Sequence, residues 1–313
     1  MRRRTALGLL AGTPTMGALA GGEAWARPPA ARARPARTML EMTFPEFEAA
    51  VAKTDTCLLP VGAIEAHGPH LPLGADALGA VDLLGDVQAY LNESGVQSVI
   101  GPCLNIGITN EAADDRRDGT YIYPGSLTVG VATFIALYVD LLRALNMNGF
   151  RRVFLYSGHL GGRHLTAMAK AAVQASQEID GLQAYALIDS ERLARLDLAP
   201  SPSILPIVDG LNFAMLKDLL GGAEPAFTTH ADGWETSLML HYRPDLVGDG
   251  YASLPQSPSG PFLKAGETGD RALNPSGIGG FPTRTATAEV GRRIAEYRTR
   301  RIGDAVLGVS RQR

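Results

Sequence analysis

Short apolar runs that alternate with longer segments of helical periodicity are the feature that most constrains the fold of this chain. Four runs have the length and composition of buried strands, and they cover residues 56–61, 96–100, 152–156 and 182–188. Helical spacing of apolar residues is found in residues 44–53, 78–91, 131–145, 164–174, 207–220, 233–242 and 286–306. This alternation is typical of βαβ units, in which helices cover both faces of a parallel sheet. The pattern therefore predicts an α/β fold, with a single domain over residues 38–313.

The N-terminal part differs from the rest of the chain. Three arginines at residues 2–4 precede an apolar run, and Ala24-Trp25-Ala26 supplies the small residues of a signal-peptidase site. The R-R-T-A-L of residues 3–7 fits the twin-arginine pattern, although an ordinary secretory signal or a disordered basic leader is an alternative. We therefore expect residues 1–26 to be a signal peptide of the twin-arginine type, residues 27–37 a flexible linker, and the mature protein periplasmic.

The composition narrows the class of protein and its partners. With 45% hydrophobic and 19% charged residues, the chain resembles a soluble globular protein, and its body has no run of about 18 uncharged apolar residues that could span a membrane. Without residues 1–26 the formal net charge is −5, which offers no basic surface for nucleic acid or anionic membrane. The two cysteines, Cys57 and Cys103, are expected to be buried free thiols, although an oxidising compartment would allow them to pair.

The segment after the first predicted strand carries the clearest chemical signal. Residues 59–76 read L-P-V-G-A-I-E-A-H-G-P-H-L-P-L-G-A-D. Glu65 and His67 are two residues apart, so both side chains leave extended backbone on the same side. Asp76 lies in the first turn of the next predicted helix, above the same strand end. Two carboxylates and an imidazole are a ligand set suited to Zn²⁺, Mn²⁺ or Fe²⁺.

Two further segments carry candidate site residues. His159 follows the third predicted strand within S-G-H-L-G-G-R-H, a run without the G-x-S-x-G that would favour a serine nucleophile. His230 precedes a predicted helix, and Glu235 lies in its first turn, where the helix dipole favours a carboxylate. All six histidines fall in or shortly after the three segments, which favours a metal site over scattered polar residues. Structural roles are assigned to the remaining three, His70, His164 and His241.

These three segments resemble the motifs of the creatininase (creatinine amidohydrolase) family, and the likeness covers about residues 38–305. The resemblance implies a three-layer α/β/α sandwich with a mostly parallel central sheet, and a homo-oligomer that is often a hexamer. It also implies hydrolysis of cyclic or linear amides. Family members act on creatinine, on formamide intermediates of cofactor synthesis and on the peptide-derived precursor of a redox cofactor.

The resemblance further implies a site for one or two divalent ions. Glu65, Asp76 and His159 would hold one ion. His67 and Asp76 would hold a second, with Asp76 as the bridging ligand. Zinc or manganese is the expected metal, with iron as an alternative.

The chain departs from the family pattern in two places. Creatinine-cleaving members carry a ligand glutamate where this chain has Gly161, which argues against creatinine as the substrate. Glu235 is then the candidate that completes the second site. A family histidine is replaced near Ala112, and a charged insertion at residues 114–118 precedes the P-G-S of residues 124–126.

The predicted reaction is metal-assisted hydrolysis of a small-molecule amide. Glu235 would orient or deprotonate the water, and His230 would protonate the leaving nitrogen. Trp234 is expected either to form a wall of the pocket or to pack on the helix surface. Ser126 and Arg163 are candidate substrate contacts. Two alternatives remain open: an exported metal- or ligand-binding protein without turnover, and a hydrolase of lactones or other esters on the same site.

Overall fold

The computed structural model describes residues 38–109, 123–223, 229–255 and 275–311. The strands in these residues are β1 (Thr56–Val61), β2 (Val99–Ile100), β3 (Arg152–Ser157), β4 (Gln183–Asp189) and β5 (Ile204–Ile207). The α-helices are α1 (Phe44–Val51), α2 (Ala75–Glu93), α3 (Val131–Met147), α4 (Gly162–Glu178), α5 (Ser190–Leu193), α6 (Phe213–Leu219), α7 (Gly233–Tyr242) and α8 (Ala288–Ser310). Short 3₁₀ turns occupy Met39–Glu41, Pro244–Leu246, Asp249–Ser253 and Thr283–Thr285.

The five described strands form one parallel sheet in the order β2-β1-β3-β4-β5. From β1 the chain runs to the edge strand β2, and then crosses back over β1 to β3. The strand order therefore reverses between β1 and β3, and open parallel sheets bind ligands outside the strand ends at such a point. Val61 pairs with Ser157, so the two strands end at the same level. The segments that carry Glu65 and His159 consequently leave the sheet side by side.

Alternate strand residues contribute to two apolar layers, one on each face of the sheet. Leu59 and Leu155 pack in the layer formed with α3 and α4, whereas Leu58 and Phe154 pack in the layer formed with α2 and α8. Helix α7 packs mainly on α8. Burial of both sheet faces explains why the strands read as continuous apolar runs instead of alternating with polar residues. The predicted three-layer α/β/α sandwich is confirmed.

Strand β5 was not predicted, and the helix predicted over residues 207–220 is wrong at its start. Ile207 is the last residue of β5, and α6 begins only at Phe213, where Asn212 caps it by accepting the Met215 N–H at 2.8 Å. The I-L-P-I sequence of β5 is short and contains a proline, which weakens a strand signal. An edge strand tolerates the proline because one of its sides has no neighbouring strand to bond.

No helix among the described residues is long and apolar enough to cross a membrane. The predicted signal peptide and linker, residues 1–37, lie outside the described residues, as do Ala112 and residues 114–118. Cys57 is buried and Cys103 half-buried, and both are free thiols.

Candidate metal centre and active site

The loop after β1 carries Glu65 and His67, and its backbone is supported by Ser126. The Ala66 N–H donates to Ser126 Oγ at 2.9 Å. Ser126, which the sequence predicts as a substrate contact, therefore supports the loop. Gly68 follows with a φ of +64°, a left-handed conformation that glycine adopts without strain. The chain can therefore turn sharply just after His67, whose side chain is only 1% exposed.

Asp76 lies in the first turn of α2, and its side chain is buried. The loop after β3 packs directly against this turn. A Cβ atom at Gly158 would overlap the backbone carbonyl of Asp76, so only glycine permits the approach. This close packing places His159, the next residue, beside the Asp76 carboxylate.

One ring nitrogen of His159 faces two carboxylates. Nδ1 lies 2.9 Å from Glu65 Oε2 and 3.4 Å from Asp76 Oδ2. Because Nε2 donates to the Ile108 carbonyl at 3.1 Å, Nδ1 carries a lone pair in the neutral ring. Glu65 Oε2 and Asp76 Oδ2 are buried and accept no hydrogen bond from the described residues. The three side chains form one of the two compact groups of metal-ligating residues in the described part of the chain, and their lone pairs suit a divalent cation.

His67 faces the other oxygen of Asp76. Its Nδ1 donates to the backbone carbonyl of Glu65 at 3.0 Å, which leaves Nε2 as the free nitrogen of the neutral ring. Nε2 lies 3.3 Å from Asp76 Oδ1 and 3.8 Å from Glu235 Oε2. Asp76 thus presents Oδ1 to His67 and Oδ2 to His159, so each of its oxygens faces a different imidazole.

His230 and Glu235 come from the third segment and meet the loop after β1. The His230 ring lies against His67 with centroids 4.5 Å apart, and its Nε2 donates to the Ala66 carbonyl at 2.8 Å. With Glu65 and His67, His230 forms the second compact group of metal-ligating residues. Glu235 Oε2 accepts the backbone N–H two residues before α7 begins, at 2.6 Å, which holds the carboxylate in place. The structure brings together six of the predicted residues: Glu65, His67, Asp76, His159, His230 and Glu235.

The charges in this cluster depend on one another. Burial lowers the pKa of His67, but Asp76 and Glu235 oppose it and raise the pKa to about 10. Burial likewise lowers the pKa of His159, yet Glu65 and Asp76 bring it well above the usual value. Burial would raise the pKa of Asp76, but the two imidazoles hold it well below its ordinary value. The Asp76 carboxylate therefore remains ionised and requires positive charge, which imidazolium groups or a divalent cation can supply.

Two of the three histidines assigned to structural roles, His70 and His164, lie next to the cluster. His70 Nε2 lies 2.8 Å from Thr236 Oγ1, and burial together with the positive charge of its neighbours lowers the pKa of His70 to about 4. The ring is therefore neutral and links the loop after β1 to α7. His164 is completely buried, with its ring centroid 5.0 Å from that of His159. His241 lies near the end of α7, beside Tyr242.

The remaining two predicted contacts are Trp234 and Arg163. Trp234 is 3% exposed and packs with Phe281 and Ile294 in an apolar cluster. Of the two roles that the sequence leaves open for Trp234, the structure therefore shows packing. Arg163 is half-buried in the first turn of α4.

Asp232 is a supporting residue of the candidate site that sequence reasoning missed. Its buried carboxylate caps α7 by accepting the N–H groups of Trp234 and Glu235 at 3.0 and 3.3 Å, and it also accepts the Phe281 N–H at 2.9 Å. The cap fixes the first turn of α7, and with it the position of Glu235. An aspartate three residues before a glutamate at a helix start is an N-cap signature that could have revealed it.

Comparison with known proteins places these features in one family. The model of the creatininase family, described as creatinine amidohydrolase, matches residues 40–306. The chain is 26% identical over 268 residues to a creatinine amidohydrolase of Pseudomonas putida, which covers 85% of this chain and 94% of the relative. It is 29% identical over 244 residues to a mycofactocin precursor peptide peptidase of Mycolicibacterium smegmatis, with 76% and 78% covered.

Solved structures show the same likeness. A crystal structure of creatinine amidohydrolase superposes with a TM-score of 0.61 at 25% identity, and the match covers 86% of this chain and 96% of the other. A structure titled as the manganese form of creatininase gives a TM-score of 0.62 at 24% identity over the same shares of the two chains.

Proposed function

This chain belongs to the creatininase family of metal-dependent hydrolases, and from that premise we propose that it cleaves an amide-type C–N bond in a small molecule by means of a metal-activated water. The observation that carries the proposal is the placement of Asp76. Its two buried oxygens face two histidine nitrogens, and each histidine is tied to a backbone carbonyl through its other nitrogen. Such outer hydrogen bonds orient imidazole ligands toward a metal.

The residues present fit a divalent transition metal. Glu65, Asp76 and His159 would hold one ion, and the buried, unpartnered oxygens of the two carboxylates support this assignment. A second ion would lie between His67 and Asp76, with Glu235 as the nearby carboxylate. Mixed nitrogen and oxygen donors favour zinc, manganese or iron over calcium or magnesium.

The metal, when bound, lowers the pKa of a water molecule toward about 7 and polarises the scissile carbonyl. Glu235 accepts a proton from the attacking water, since its Oε2 is held beside His67 by a backbone N–H. His230 protonates the leaving nitrogen. Because its Nε2 already donates to the Ala66 carbonyl, Nδ1 is the nitrogen that takes up a proton, which forms the imidazolium, and then delivers it to the leaving nitrogen.

The names of the relatives support an amide substrate without identifying it. One relative is named for creatinine hydrolysis and the other for cleavage of a peptide precursor, so both act on C–N bonds. Gly161 stands where the resemblance to creatinine-cleaving family members implies a ligand glutamate, and this argues against creatinine itself. A lactone or ester hydrolase is the second candidate, because the same activated water attacks either carbonyl.

The first experiment is metal analysis of the purified protein beside Glu65→Gln, followed by turnover of amides, lactams, formamides and lactones. Asp82→Asn is the matched control, since Asp82 is a buried carboxylate on α2 that pairs with Arg243 away from the ligand set. We expect about one or two ions per chain that are lost in Glu65→Gln and kept in Asp82→Asn. Bound metal without turnover would favour a binding protein, and faster turnover of lactones would favour the ester hydrolase. No metal after incubation with Zn²⁺ or Mn²⁺ would overturn the proposal.

Two further proposals concern the setting of the enzyme. We propose that residues 1–26 direct export through the twin-arginine route to the periplasm, and that the mature chain is a homo-oligomer. Replacement of Arg3 and Arg4 by lysine should keep the protein in the cytoplasmic fraction if the route is correct. Light scattering of the purified protein measures the oligomer, and a monomeric mass would contradict that proposal.

A further inference from the structure

Arg192 lies at the margin of the proposed active site. It belongs to α5, which begins directly after β4 at the carboxyl edge of the sheet. Its Nη1 donates to the Leu160 carbonyl at 3.3 Å, and its Nη2 donates to Thr229 Oγ1 at 3.5 Å. Leu160 follows the ligand residue His159, and Thr229 precedes His230. The guanidinium therefore lies between the two loops that present the site histidines.

The charge of Arg192 has no close carboxylate partner among the described residues. No carboxylate oxygen there lies within 4.0 Å of its nitrogens, and its two acceptors are neutral and distant. Asp189, at the end of β4, is already engaged. One of its oxygens lies 3.3 Å from Arg298, and the other accepts the Leu211 N–H at 2.9 Å.

The guanidinium of Arg192 is the group that favours an anion. Burial lowers the pKa of the guanidinium, and the charges of Asp189 and Glu235 oppose this effect. Glu235, the proposed proton acceptor, is thus close enough to influence Arg192 electrostatically. A partly buried guanidinium without an ionic partner costs free energy, and an anionic ligand would offset that cost. The planar fork of arginine suits a carboxylate, which it can bind through two parallel hydrogen bonds.

We infer that Arg192 recognises a carboxylate group on the substrate, so that the enzyme prefers amides that carry a negative charge beside the scissile bond. The inference rests on the proposed amide hydrolysis and adds a substrate class to it. Arg192 takes no part in bond cleavage: water adds to the carbonyl carbon, the C–N bond breaks, and the nitrogen leaves with a proton. Arg192 is a specificity-determining residue that holds the far end of the substrate.

The test compares matched pairs of amides that differ in the carboxylate. N-Formylglycine is compared with N-methylformamide, and pyroglutamate with 2-pyrrolidone. The wild-type enzyme should prefer the carboxylate-bearing member by roughly 10- to 100-fold in kcat/KM, the range of a hydrogen bond between charged groups. Arg192→Gln should abolish most of this preference, mainly through KM, and Arg192→Lys should restore part of it. Arg195→Gln removes the same charge from an exposed position three residues away and should leave the preference intact.

Separate readouts distinguish the failure of this inference from the failure of the proposed function. Calorimetric titration with N-formylglycine and pyroglutamate reports binding whether or not turnover occurs, and metal analysis reports the ligand set. Equal binding of charged and neutral members by the wild type would overturn the inference, even if both are hydrolysed. An equal loss of kcat for both members in Arg192→Gln, with loss of metal, would show that Arg192 only ties the two loops together. Tight binding of the anions without hydrolysis of any amide would instead contradict the proposed function.

Discussion

The hydroxyl of Ser157 and Nε2 of His164 form a 3.0 Å hydrogen bond beside His159, a proposed metal ligand. The direction of this bond follows from its neighbours. The Ile108 N–H donates to His164 Nδ1 at 3.1 Å, so Nε2 carries the hydrogen and donates to Ser157 Oγ. Ser157 in turn donates to the His159 carbonyl at 2.8 Å. Because Ile108 also accepts from His159 Nε2, this network holds both the backbone and the ring of His159, and Ser157 serves as a support, not a nucleophile.

The first prediction concerns His164, a positioning residue in this network. His164→Leu should lower metal affinity by about 10- to 100-fold, because it releases the groups that orient His159. It should also cost about 1–3 kcal/mol of unfolding free energy, since it leaves the buried Ile108 N–H without an acceptor and the Ser157 oxygen without its donor. Ser176→Ala is the control, since it removes comparable bonds to Ala184 from the same helix, away from the site. Equal metal affinity in both variants, measured with a competing chelator, would contradict the positioning role.

The second prediction concerns Asp76, the proposed bridging carboxylate. Asp76→Asn should remove most of the bound metal, because one amide cannot present an anionic oxygen to both His67 and His159. Asp82→Asn, six residues farther along α2, should destabilise the protein through its partner Arg243 but retain the metal. Metal content and the thermal unfolding midpoint separate the two effects. Full metal content in Asp76→Asn would show that the site does not depend on a bridge.

The third prediction concerns Glu235. Glu235→Gln keeps an oxygen that can accept the Ala231 N–H, so the local fold should be preserved. Hydrolysis should fall by about 10²- to 10⁴-fold, which is the usual contribution of a general base. At most one metal ion should be lost. Turnover close to that of the wild type would exclude Glu235 as the proton acceptor.

The fourth prediction concerns the contact between two loops. Gly158→Ala should move the loop after β3 away from α2, because the new methyl group overlaps the Asp76 carbonyl. We expect a loss of about 1–3 kcal/mol in stability together with lower metal content. Gly79 lies in α2 and has open space where a methyl group would be added. Gly79→Ala should therefore stabilise the protein by about 0.5–1 kcal/mol. If Gly158→Ala retained full stability and metal, the close packing would have no role in forming the site.

The fold was largely readable from the sequence, because its signals are local. Apolar runs bounded by turns predicted β1 and β3 to within a residue, and helical spacing predicted α7 with its exact bounds of Gly233 and Tyr242. The failures are short elements. Strand β5 has four residues and a proline, and its formation depends on pairing with β4, which no local pattern reports.

The sequence by itself determined which residue types carry the chemistry and at which strand ends they occur. Glu65 and His67 share one loop, and their spacing alone indicates that they face the same side. Only the tertiary structure decided that Asp76 divides its two oxygens between His67 and His159, that the Ile108 backbone orients His159, and that Arg192 lies between two site loops. The physical reason is distance along the chain. Contacts between segments tens of residues apart depend on how the helices pack on the sheet. Here they depend on the close approach of the loop after β3 to α2 that Gly158 permits. The spacing of residues within one segment does not predict that packing.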